Sequence, residues 1–357
     1  MKILFIISTL GQGGAERVMS VLANELSLTH EIYILKFDDE APFYELNQNI
    51  KLLSTKSGVG DKGFLGNITK RFDKILSLRK FLKNSDFDVV IPFLDNTNIL
   101  TLIANFGLKN KIIVSEHTNH TFLKSFIWKA LKRITYPLAN GLTVLTKFDL
   151  DYYTFVKNRE VLPNPMFKIP LVHEQNLQKE NIILAAGRLM YFKGFDTFLN
   201  SLALIDKNLL SNWKIIIAGD GSEREKLQKL SIQLGLKVDF VGFVKNIEDY
   251  YKKAKIVAVT SRAEGFCNIL MESIYFDCTR LSTNCVAGPS DLIKDGIDGF
   301  LCEVDNKEEI AKKLEILISD ENLRTTFIKN ANLRKDDYRV ENIAKKWLEF
   351  IKICIQG

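Results

Sequence analysis

The stretch KIVAVTSRAEGFCNILMES, residues 255–273, decides the fold class of this 357-residue chain. It begins with apolar and β-branched residues, a run typical of a strand that is buried on both faces of a parallel sheet. Glu264 and Gly265 end this run and predict a loop. A helical pattern follows, and we predict a helix that begins near Phe266 and carries Glu272 on its third turn. A strand, a loop and a helix in this order form the repeating unit of an α/β domain.

The same alternation of strand and helix patterns runs along both halves of the chain. The strands predicted in the first half are KILFIIST, EIYILKF, DVVIPFL, KIIVSEH, GLTVLT and REVLP. Those predicted in the second half are NIILAAGR, WKIIIAGDG, VDFVGFV, KIVAVTS and RLSTN. Amphipathic stretches such as 15–28, 67–84 and 97–107 separate strands. Two such series predict two doubly wound α/β domains with parallel sheets, in which ligands bind beyond the carboxyl ends of the strands.

A change in composition marks the division between the two domains. The polar stretch PNPMFKIPLVHEQNLQKEN, residues 163–181, contains three of the seven prolines and predicts a linker. We therefore expect one Rossmann-like domain over residues 1–165 and a second over residues 166–338. The amphipathic segment 339–357 predicts a last helix that crosses back to the first domain.

Composition and charge argue against several other classes of protein. A content of 46% hydrophobic and 26% charged residues is that of a globular protein. The five cysteines lack metal-ligand spacing and predict reduced thiols. No run of 18 apolar residues predicts a membrane span, and the apolar start of the chain is interpreted as a buried strand rather than a signal peptide. The net charge is +6, which suggests an anionic partner but is too small to indicate nucleic acid.

Two groups of residues follow predicted strands in the first half. The turn GQGGAER, residues 11–17, has Glu16 where a dinucleotide fingerprint requires glycine, which counts against a nicotinamide enzyme. Gly13 and Gly14 let the backbone approach a phosphate or diphosphate at the start of the next helix, although a turn without a ligand has the same pattern. His117, at the end of KIIVSEH, can exchange hydrogen bonds with a sugar hydroxyl, whereas a lone histidine is usually structural.

The second half places charged residues in two predicted loops. Arg188 and Lys193 lie between one strand and the next helix, where a guanidinium and an ammonium predict a clamp for two linked phosphates. Glu264 can accept hydrogen bonds from sugar hydroxyls, the helix that follows can hold a diphosphate at its N-terminus, and Glu272 can bind a ribose diol. The alternatives are a solvated surface pair for the two cations and two solvated glutamates.

These motifs occur in the order of a known family. The series GGAER, SEH, GRL…KG, AGDG, GFV and EGFxNxLxES resembles the GT-B glycosyltransferases of the large retaining family 4 over nearly the whole chain. The stretches FLDNTNI, VSEHTN, LPNP and VDFVGFV are most similar to bacterial transferases that add N-acetylgalactosamine or related hexoses to polyprenyl-diphosphate-linked glycans. The resemblance implies two Rossmann-like domains facing across a cleft, the first binding the acceptor and the second a UDP-sugar. It also implies retaining transfer without a cofactor or metal ion.

The resemblance assigns roles to individual residues. The catalytic group is expected to be His117, Arg188, Lys193 and Glu264. The expected donor-binding residues are Gly13, Gly14, Phe243, Val244, Phe266, Cys267, Asn268, Ile269 and Glu272. Cys267 and Asp291 depart from the family pattern, and Cys267 leaves the identity of the sugar open, with N-acetylgalactosamine favoured.

Two segments of the first half combine basic and apolar residues. Residues 68–83 carry six basic residues and one acid, and residues 122–133 carry four basic residues and no acid. Each segment is either an ordinary packed helix with solvent-exposed lysines or a surface that binds an anionic membrane or a lipid diphosphate. The residues expected at the acceptor or the membrane are Glu16, Arg17, Lys124, Lys129, Lys132 and Arg133.

We therefore expect a cytoplasmic enzyme that lies peripherally on the inner face of the membrane, with a UDP-sugar and a lipid-linked glycan as its partners. Three alternatives stay open. The same chemistry can serve a lipopolysaccharide, capsule or soluble acceptor, and the fold can also serve a non-catalytic sugar-nucleotide binder. A dehydrogenase is the remote option.

Overall fold

The computed structural model describes residues 1–57, 64–166 and 179–356. The chain divides into two compact units, Met1–Lys168 with Arg339–Gly357, and Ile169–Tyr338. The end of the chain therefore belongs to the first unit. Most of the predicted linker, from residue 167 to residue 178, lies outside the described residues.

The first unit is built on parallel strands covered by helices. Its strands are β1 (Lys2–Ile7), β2 (Glu31–Lys36), β3 (Lys51–Ser54), β4 (Val89–Pro92), β5 (Ile113–Ser115), β6 (Gly141–Val144) and β7 (Arg159–Val161). Its first helices are α1 (Gly14–Leu26), α2 (Phe64–Lys83), α3 (Asp95–Asn105), α4 (Phe126–Thr135) and α5 (Lys147–Tyr152). The strand orders are β3-β2-β1-β4 and β5-β6-β7, and two parallel bridges, Val90 to Ile112 and Phe93 to Ser115, connect β4 with β5. All the predicted strands are present, and β3 is an additional one.

The second unit contains one continuous parallel sheet. Its strands are β8 (Glu180–Ala186), β9 (Lys214–Ala218), β10 (Val238–Gly242), β11 (Ala254–Val259), β12 (Thr279–Thr283) and β13 (Phe300–Cys302). Its helices are α6 (Phe195–Leu202), α7 (Lys207–Leu210), α8 (Arg224–Gln233), α9 (Glu248–Lys253), α10 (Asn268–Tyr275), α11 (Pro289–Leu292), α12 (Lys307–Ser319) and α13 (Glu321–Asn332). The strand order is β10-β9-β8-β11-β12-β13, and β13 is the one strand here that was not predicted.

One predicted boundary is wrong. Helix α10 begins at Asn268 rather than near Phe266, so Glu272 lies on its second turn instead of its third. Phe266 and Cys267 are both buried, and Cys267 has a non-helical backbone because the loop draws these two side chains into the core before the first turn forms.

The C-terminal helix α14 (Val340–Gln356) completes the core of the first unit. Trp347 and Phe350 on its apolar face are buried in one cluster with Phe5 of β1. Gly141 of β6 permits this approach, because a Cβ atom at that position would lie 2.5 Å from the sulfur of Cys354. Among the described helices, none combines the length and the apolar character that crossing a bilayer requires.

Candidate active site

The strand order of the second unit places two loops side by side. β8 lies between β9 and β11, and the chain winds outward from this centre in both directions. In a parallel sheet, ligands bind beyond the carboxyl ends of the strands at which the winding direction changes. These strands are β8 and β11, and the loops that follow them, 187–194 and 260–267, carry the residues predicted to bind the donor.

An ion pair joins these two loops. The Nζ atom of Lys193 donates to both carboxylate oxygens of Glu264, at 2.7 and 2.8 Å. Ser261 donates from its Oγ atom to Oε1 of Glu264 at 2.6 Å. Burial acts to lower the pKa of Lys193, but the charge of Glu264 outweighs it and raises this pKa above its ordinary value. Lys193 is therefore an ammonium ion held in a largely buried position.

A glycine allows the two loops to approach this closely. Gly194 has a left-handed backbone, with φ at +64°, and a Cβ atom there would lie 1.9 Å from the carbonyl oxygen of Thr260. The hydroxyl of Thr260 in turn donates to the carbonyl oxygen of Gly194 at 2.8 Å. Any side chain at residue 194 would push the Lys193 loop away from the Glu264 loop.

The two cations of the predicted clamp have different environments. Arg188 follows β8 and its side chain is exposed. Across the described part of the chain, no hydrogen bond or ion pair holds its guanidinium group. Lys193 is paired with Glu264, so the alternative of a solvated surface pair does not describe both cations.

Neither of the two glutamates is a solvated surface residue. Glu264 is 6% exposed and Glu272 is 4% exposed. Glu272 accepts a hydrogen bond from the hydroxyl of Tyr251 at 3.1 Å. Burial raises the pKa of Cys267 well above its ordinary value, so this residue is a neutral thiol that fills space.

The remaining predicted donor-binding residues line the same edge of the sheet. Asn268 and Ile269 are half-buried at the start of α10. Phe243 and Val244 follow β10, and the side chain of Phe243 is 57% exposed. Across the described residues, no group of three or more His, Cys, Asp and Glu side chains is arranged to hold a metal ion.

In the first unit, His117 follows β5 and is held by neighbours on two sides. Its ring stacks on Phe93 at 4.4 Å between centroids, and its Nε2 atom lies 2.9 Å from the Oγ atom of Ser115. Burial lowers the pKa of His117 to about 4, against the raising effects of the Glu116 charge and of a hydrogen bond with Asn164. The imidazole is therefore neutral at physiological pH.

The glycine turn after β1 contains a contact that the sequence did not predict. Glu16 on the first turn of α1 folds back toward Gly13, and a Cβ atom on Gly13 would lie 2.0 Å from its Oε2 atom. A carboxylate already lies at the positive end of this helix, where an anionic ligand was expected. Gly14 is exposed and Arg17 is half-buried in the same turn.

The prediction that Lys132 faces an acceptor or a membrane is wrong. Its side chain is buried, and its Nζ atom donates to Oε2 of Glu116 and to the hydroxyl of Tyr153, each at 2.9 Å. It also forms an ion pair with Asp95, the first residue of α3. Two buried carboxylates require a cation between them, and Lys132 is the residue of α4 that reaches them.

This cluster holds a proton that the sequence did not reveal. Burial, together with the charge of Glu116, raises the pKa of Asp95 to about 7. Despite its own burial, Glu116 has a lowered pKa because Lys132 and its hydrogen-bond donors stabilise the carboxylate. Tyr136 donates to Glu116 as well, and Asn98 donates to the same oxygen at 3.0 Å.

The other basic residues of the 122–133 segment are exposed. Lys124, Lys129 and Arg133 all face solvent. Phe126 and Ile134 are exposed beside them, at 83% and 69%. This part of α4 therefore presents cations and apolar side chains together.

Comparisons with known proteins agree with this fold. The family model described as "Glycosyl transferases group 1" matches residues 171–334. The chain is 43% identical, over 98% of each sequence, to the "GalNAc-alpha-(1->4)-GalNAc-alpha-(1->3)-diNAcBac-PP-undecaprenol alpha-1,4-N-acetyl-D-galactosaminyltransferase" of Campylobacter jejuni. It is 27% identical to a second C. jejuni protein, the "N-acetylgalactosamine-N,N'-diacetylbacillosaminyl-diphospho-undecaprenol 4-alpha-N-acetylgalactosaminyltransferase", over 98% of this chain and 99% of the other.

Solved structures show the same fold over the whole chain. Anabaena Alr3699/HepE in complex with UDP superimposes with a TM-score of 0.77 at 18% identity, covering 99% of this chain and 100% of the other. The sucrose-phosphate synthase of Thermosynechococcus elongatus gives a TM-score of 0.82 at 14% identity, covering 98% of each chain. The fold and the site define an α/β glycosyltransferase with the GT-B fold. The chain belongs to the group 1 glycosyltransferases, as the resemblance of its motifs implied.

Proposed function

We propose that this enzyme transfers N-acetylgalactosamine from UDP-N-acetylgalactosamine to a polyprenyl-diphosphate-linked glycan, with retention of anomeric configuration and without a metal ion. The buried Lys193–Glu264 pair at the switch point of the second unit carries this proposal, because it combines a cation for a diphosphate with a carboxylate for sugar hydroxyls. The substrate classes are those named for the C. jejuni relative that is 43% identical to this chain.

Charge stabilisation of the leaving diphosphate is the main chemical task. An ammonium group has three N–H donors, and Lys193 directs two of them to the two oxygens of Glu264. The pair fixes the position of the ammonium and leaves its third donor for a phosphate oxygen. Arg188, exposed on the same loop, supplies a second cation with a planar fork of donors. These two cations replace the charge that a divalent ion would provide as the phosphate leaves.

Other residues suit the sugar and the nucleoside. Glu264 can accept from the sugar hydroxyls, and Glu272, on the second turn of α10, suits a ribose diol. A neutral His117 can exchange hydrogen bonds with a sugar hydroxyl without adding charge near the reacting carbon. Retention is supported by stereochemistry, since UDP-N-acetylgalactosamine carries an α linkage and the C. jejuni relative is named for an α-1,4 product.

We also infer that the enzyme associates peripherally with the cytoplasmic face of the membrane, where its nucleotide-sugar donor is available. The exposed cations of α4 and of the segment before it, Lys124, Lys129 and Arg133, lie next to exposed Phe126 and Ile134. Cations attract anionic headgroups, and apolar side chains insert between them.

The experiment that tests the proposed reaction offers the enzyme a polyprenyl-diphosphate-linked glycan and a set of UDP-sugars, and measures the labelled sugar extracted into butanol. We expect transfer from UDP-N-acetylgalactosamine, and a loss on the order of 100-fold in kcat for Lys193→Ala and for Arg188→Ala. Lys214→Ala is the matched control, because Lys214 is an exposed, ion-paired lysine at the opposite edge of the same sheet.

Two results would contradict the proposal. Transfer to a water-soluble or lipopolysaccharide acceptor in preference to the polyprenyl glycan would overturn the acceptor class. Full activity of both the Lys193→Ala and the Arg188→Ala enzymes would overturn the diphosphate clamp. Donor turnover in any of these assays distinguishes an enzyme from a sugar-nucleotide binder.

A further inference from the structure

Hydrogen bonds hold the side chain of Arg262 on several sides. It lies in the loop after β11, two residues before Glu264. Its Nη1 and Nη2 atoms donate to the two carboxylate oxygens of Asp196, at 2.9 and 2.8 Å. Its Nε atom donates to Asp305 at 3.0 Å. The two carboxylates thus hold the guanidinium group in one plane and one orientation.

The same residue is bonded to the loop that carries Lys193. The Nη1 atom of Arg262 donates to the carbonyl oxygen of Tyr191 at 2.5 Å, and the backbone N–H of Arg262 donates to that of Phe192 at 2.7 Å. The guanidinium also lies 4.1 Å from the ring centroid of Tyr191. The carbonyl oxygen of Gly194, two residues further along, accepts from Thr260 at 2.8 Å.

Every neighbour of Lys193 on this short turn is therefore fixed by the loop that carries Glu264. Residues 191, 192 and 194 accept hydrogen bonds from residues 260 and 262, and Lys193 itself donates to Glu264. The hydrogen bonds and the charge of Arg262 also lower the pKa of Asp196, against the effect of burial, so this anchor stays ionised. A lysine at residue 262 lacks the planar fork that reaches Asp196, Asp305 and Tyr191 together.

We propose that Arg262, anchored by Asp196 and Asp305, is a positioning residue that sets the place of the Lys193 ammonium against Glu264 and the leaving diphosphate. This inference rests on the proposed role of Lys193 in the reaction. Arg262 acts through the turn 191–194 and does not itself contact the substrate. Arg262 holds the Lys193 ammonium in a precise position. This matters because a displacement of about 1 Å in a catalytic group lowers the rate on the order of 100-fold.

The experiment combines Arg262→Gln, Arg262→Lys and Lys193→Ala, alone and in double variants, in the full-length enzyme. We expect Arg262→Gln to lower kcat roughly 10- to 100-fold while the KM for the UDP-sugar changes less than about threefold. Arg262→Lys should recover only a small part of this loss. In the Lys193→Ala background, Arg262→Gln should have almost no further effect, because residues that act through one group are not additive.

Arg324→Gln is the matched control for loss of structure. Arg324 is a buried arginine of the same unit that donates to the carbonyl oxygens of Leu317 and Ile318 and lies over the ring of Trp213. We expect this variant to lower the melting temperature and leave kcat unchanged. Melting temperature and UDP binding, measured on each variant, separate misplacement of the turn from unfolding.

Each outcome decides the inference. A wild-type kcat in Arg262→Gln overturns it, and so does a loss of equal size in the wild-type and Lys193→Ala backgrounds, which would show that Arg262 acts elsewhere. Full activity of Lys193→Ala removes Lys193 from the diphosphate clamp and overturns the inference, and a loss in Arg262→Gln alone would then give Arg262 a different task. If Arg262→Gln lowers kcat in the wild-type background but not in the Lys193→Ala background, the result supports both the role of Lys193 at the diphosphate and the positioning role of Arg262.

Discussion

Replacing Lys132 by methionine tests whether the basic residues of α4 have one role or two. The substitution keeps the length of the side chain and removes the cation that lies between Asp95 and Glu116. Removing one partner of a buried ion pair costs about 3–5 kcal/mol. The side chain of Asp95 is 21% exposed and retains some contact with water, so we expect the lower end of this range, about 3 kcal/mol. In a unit of this size, that corresponds to a fall of roughly 6–12 °C in melting temperature.

The loss of stability should depend on pH in a defined direction. In the wild-type enzyme the pKa of Asp95 is raised to about 7, so the folded state holds a proton that the unfolded chain releases near pH 4. The contribution of Asp95 to stability is therefore complete below about pH 4 and is lost as the pH rises to about 7. Without Lys132, both carboxyl groups should hold protons to higher pH. The difference between the variant and the wild type should then be smallest in mildly acidic buffer and largest above pH 7.

Urea unfolding from pH 5 to pH 8 measures the free energy of unfolding of the first unit and its dependence on pH. Lys129→Met is the matched control, because Lys129 lies on the same helix and is exposed. We expect Lys129→Met to change stability by less than about 0.5 kcal/mol. An unchanged melting temperature in Lys132→Met, accompanied by weaker liposome binding, would refute the assignment of Lys132 to the core.

Three further predictions concern binding and chemistry. The triple variant Lys124→Gln, Lys129→Gln, Arg133→Gln should bind anionic liposomes on the order of 100-fold more weakly at low salt, at about 1 kcal/mol per cation. The effect should fade as salt rises, and unchanged sedimentation with liposomes would end the membrane proposal. EDTA should leave sugar transfer intact because fixed cations stabilise the diphosphate, whereas inactivation reversed only by Mg²⁺ or Mn²⁺ would overturn metal independence. Tyr251→Phe removes a donor to Glu272 and should raise the Kd for UDP roughly tenfold by calorimetry, as expected for a hydrogen bond to a charged group; an unchanged Kd would separate Glu272 from nucleotide binding.

Two edge strands, β3 and β13, were missed, whereas the interior strands and the edge strands β7 and β10 were predicted. β1, β8 and β11 are continuous apolar runs in the interior of their sheets, and the sequence identifies them directly. β3 has no buried residue and β13 has only three residues, so neither forms a long apolar run. The fold class depends on the buried strands and on the alternation with helices, which is why it could be predicted while two edges could not.

The residues of the site were predictable by type, and their pairing was not. Lys193 and Glu264 were recognised because each follows a buried strand, but they are 71 residues apart in sequence. Their contact depends on β8 and β11 being neighbours and on Gly194 lying against Thr260. Arg262 was passed over because an arginine in a polar loop has no pattern of its own. Its partners Asp196 and Asp305 belong to separate parts of the chain.

Lys132 and Lys193 differ in how many of their N–H donors the protein itself uses. Both are paired with glutamates that follow strands, and the charge of the glutamate raises the pKa of each ammonium against the effect of burial. Lys132 meets three different acceptors, in Asp95, Glu116 and Tyr153, which matches the three donors of an ammonium group. Lys193 directs its two hydrogen bonds to one carboxylate.

The sequence of α4 indicates which of its lysines is buried. Lys132 lies four residues after Trp128 and four before Tyr136, on the face that packs inward, whereas Lys129 and Arg133 share the outer face. Helical spacing therefore predicts which lysine is buried, but only the folded chain shows whether its donors are all used. A buried ammonium with every donor engaged stabilises the fold, and one with a donor left over can bind a phosphate. By this criterion Lys132 stabilises the first unit, and we expect Lys193 of the second unit to be available to the substrate.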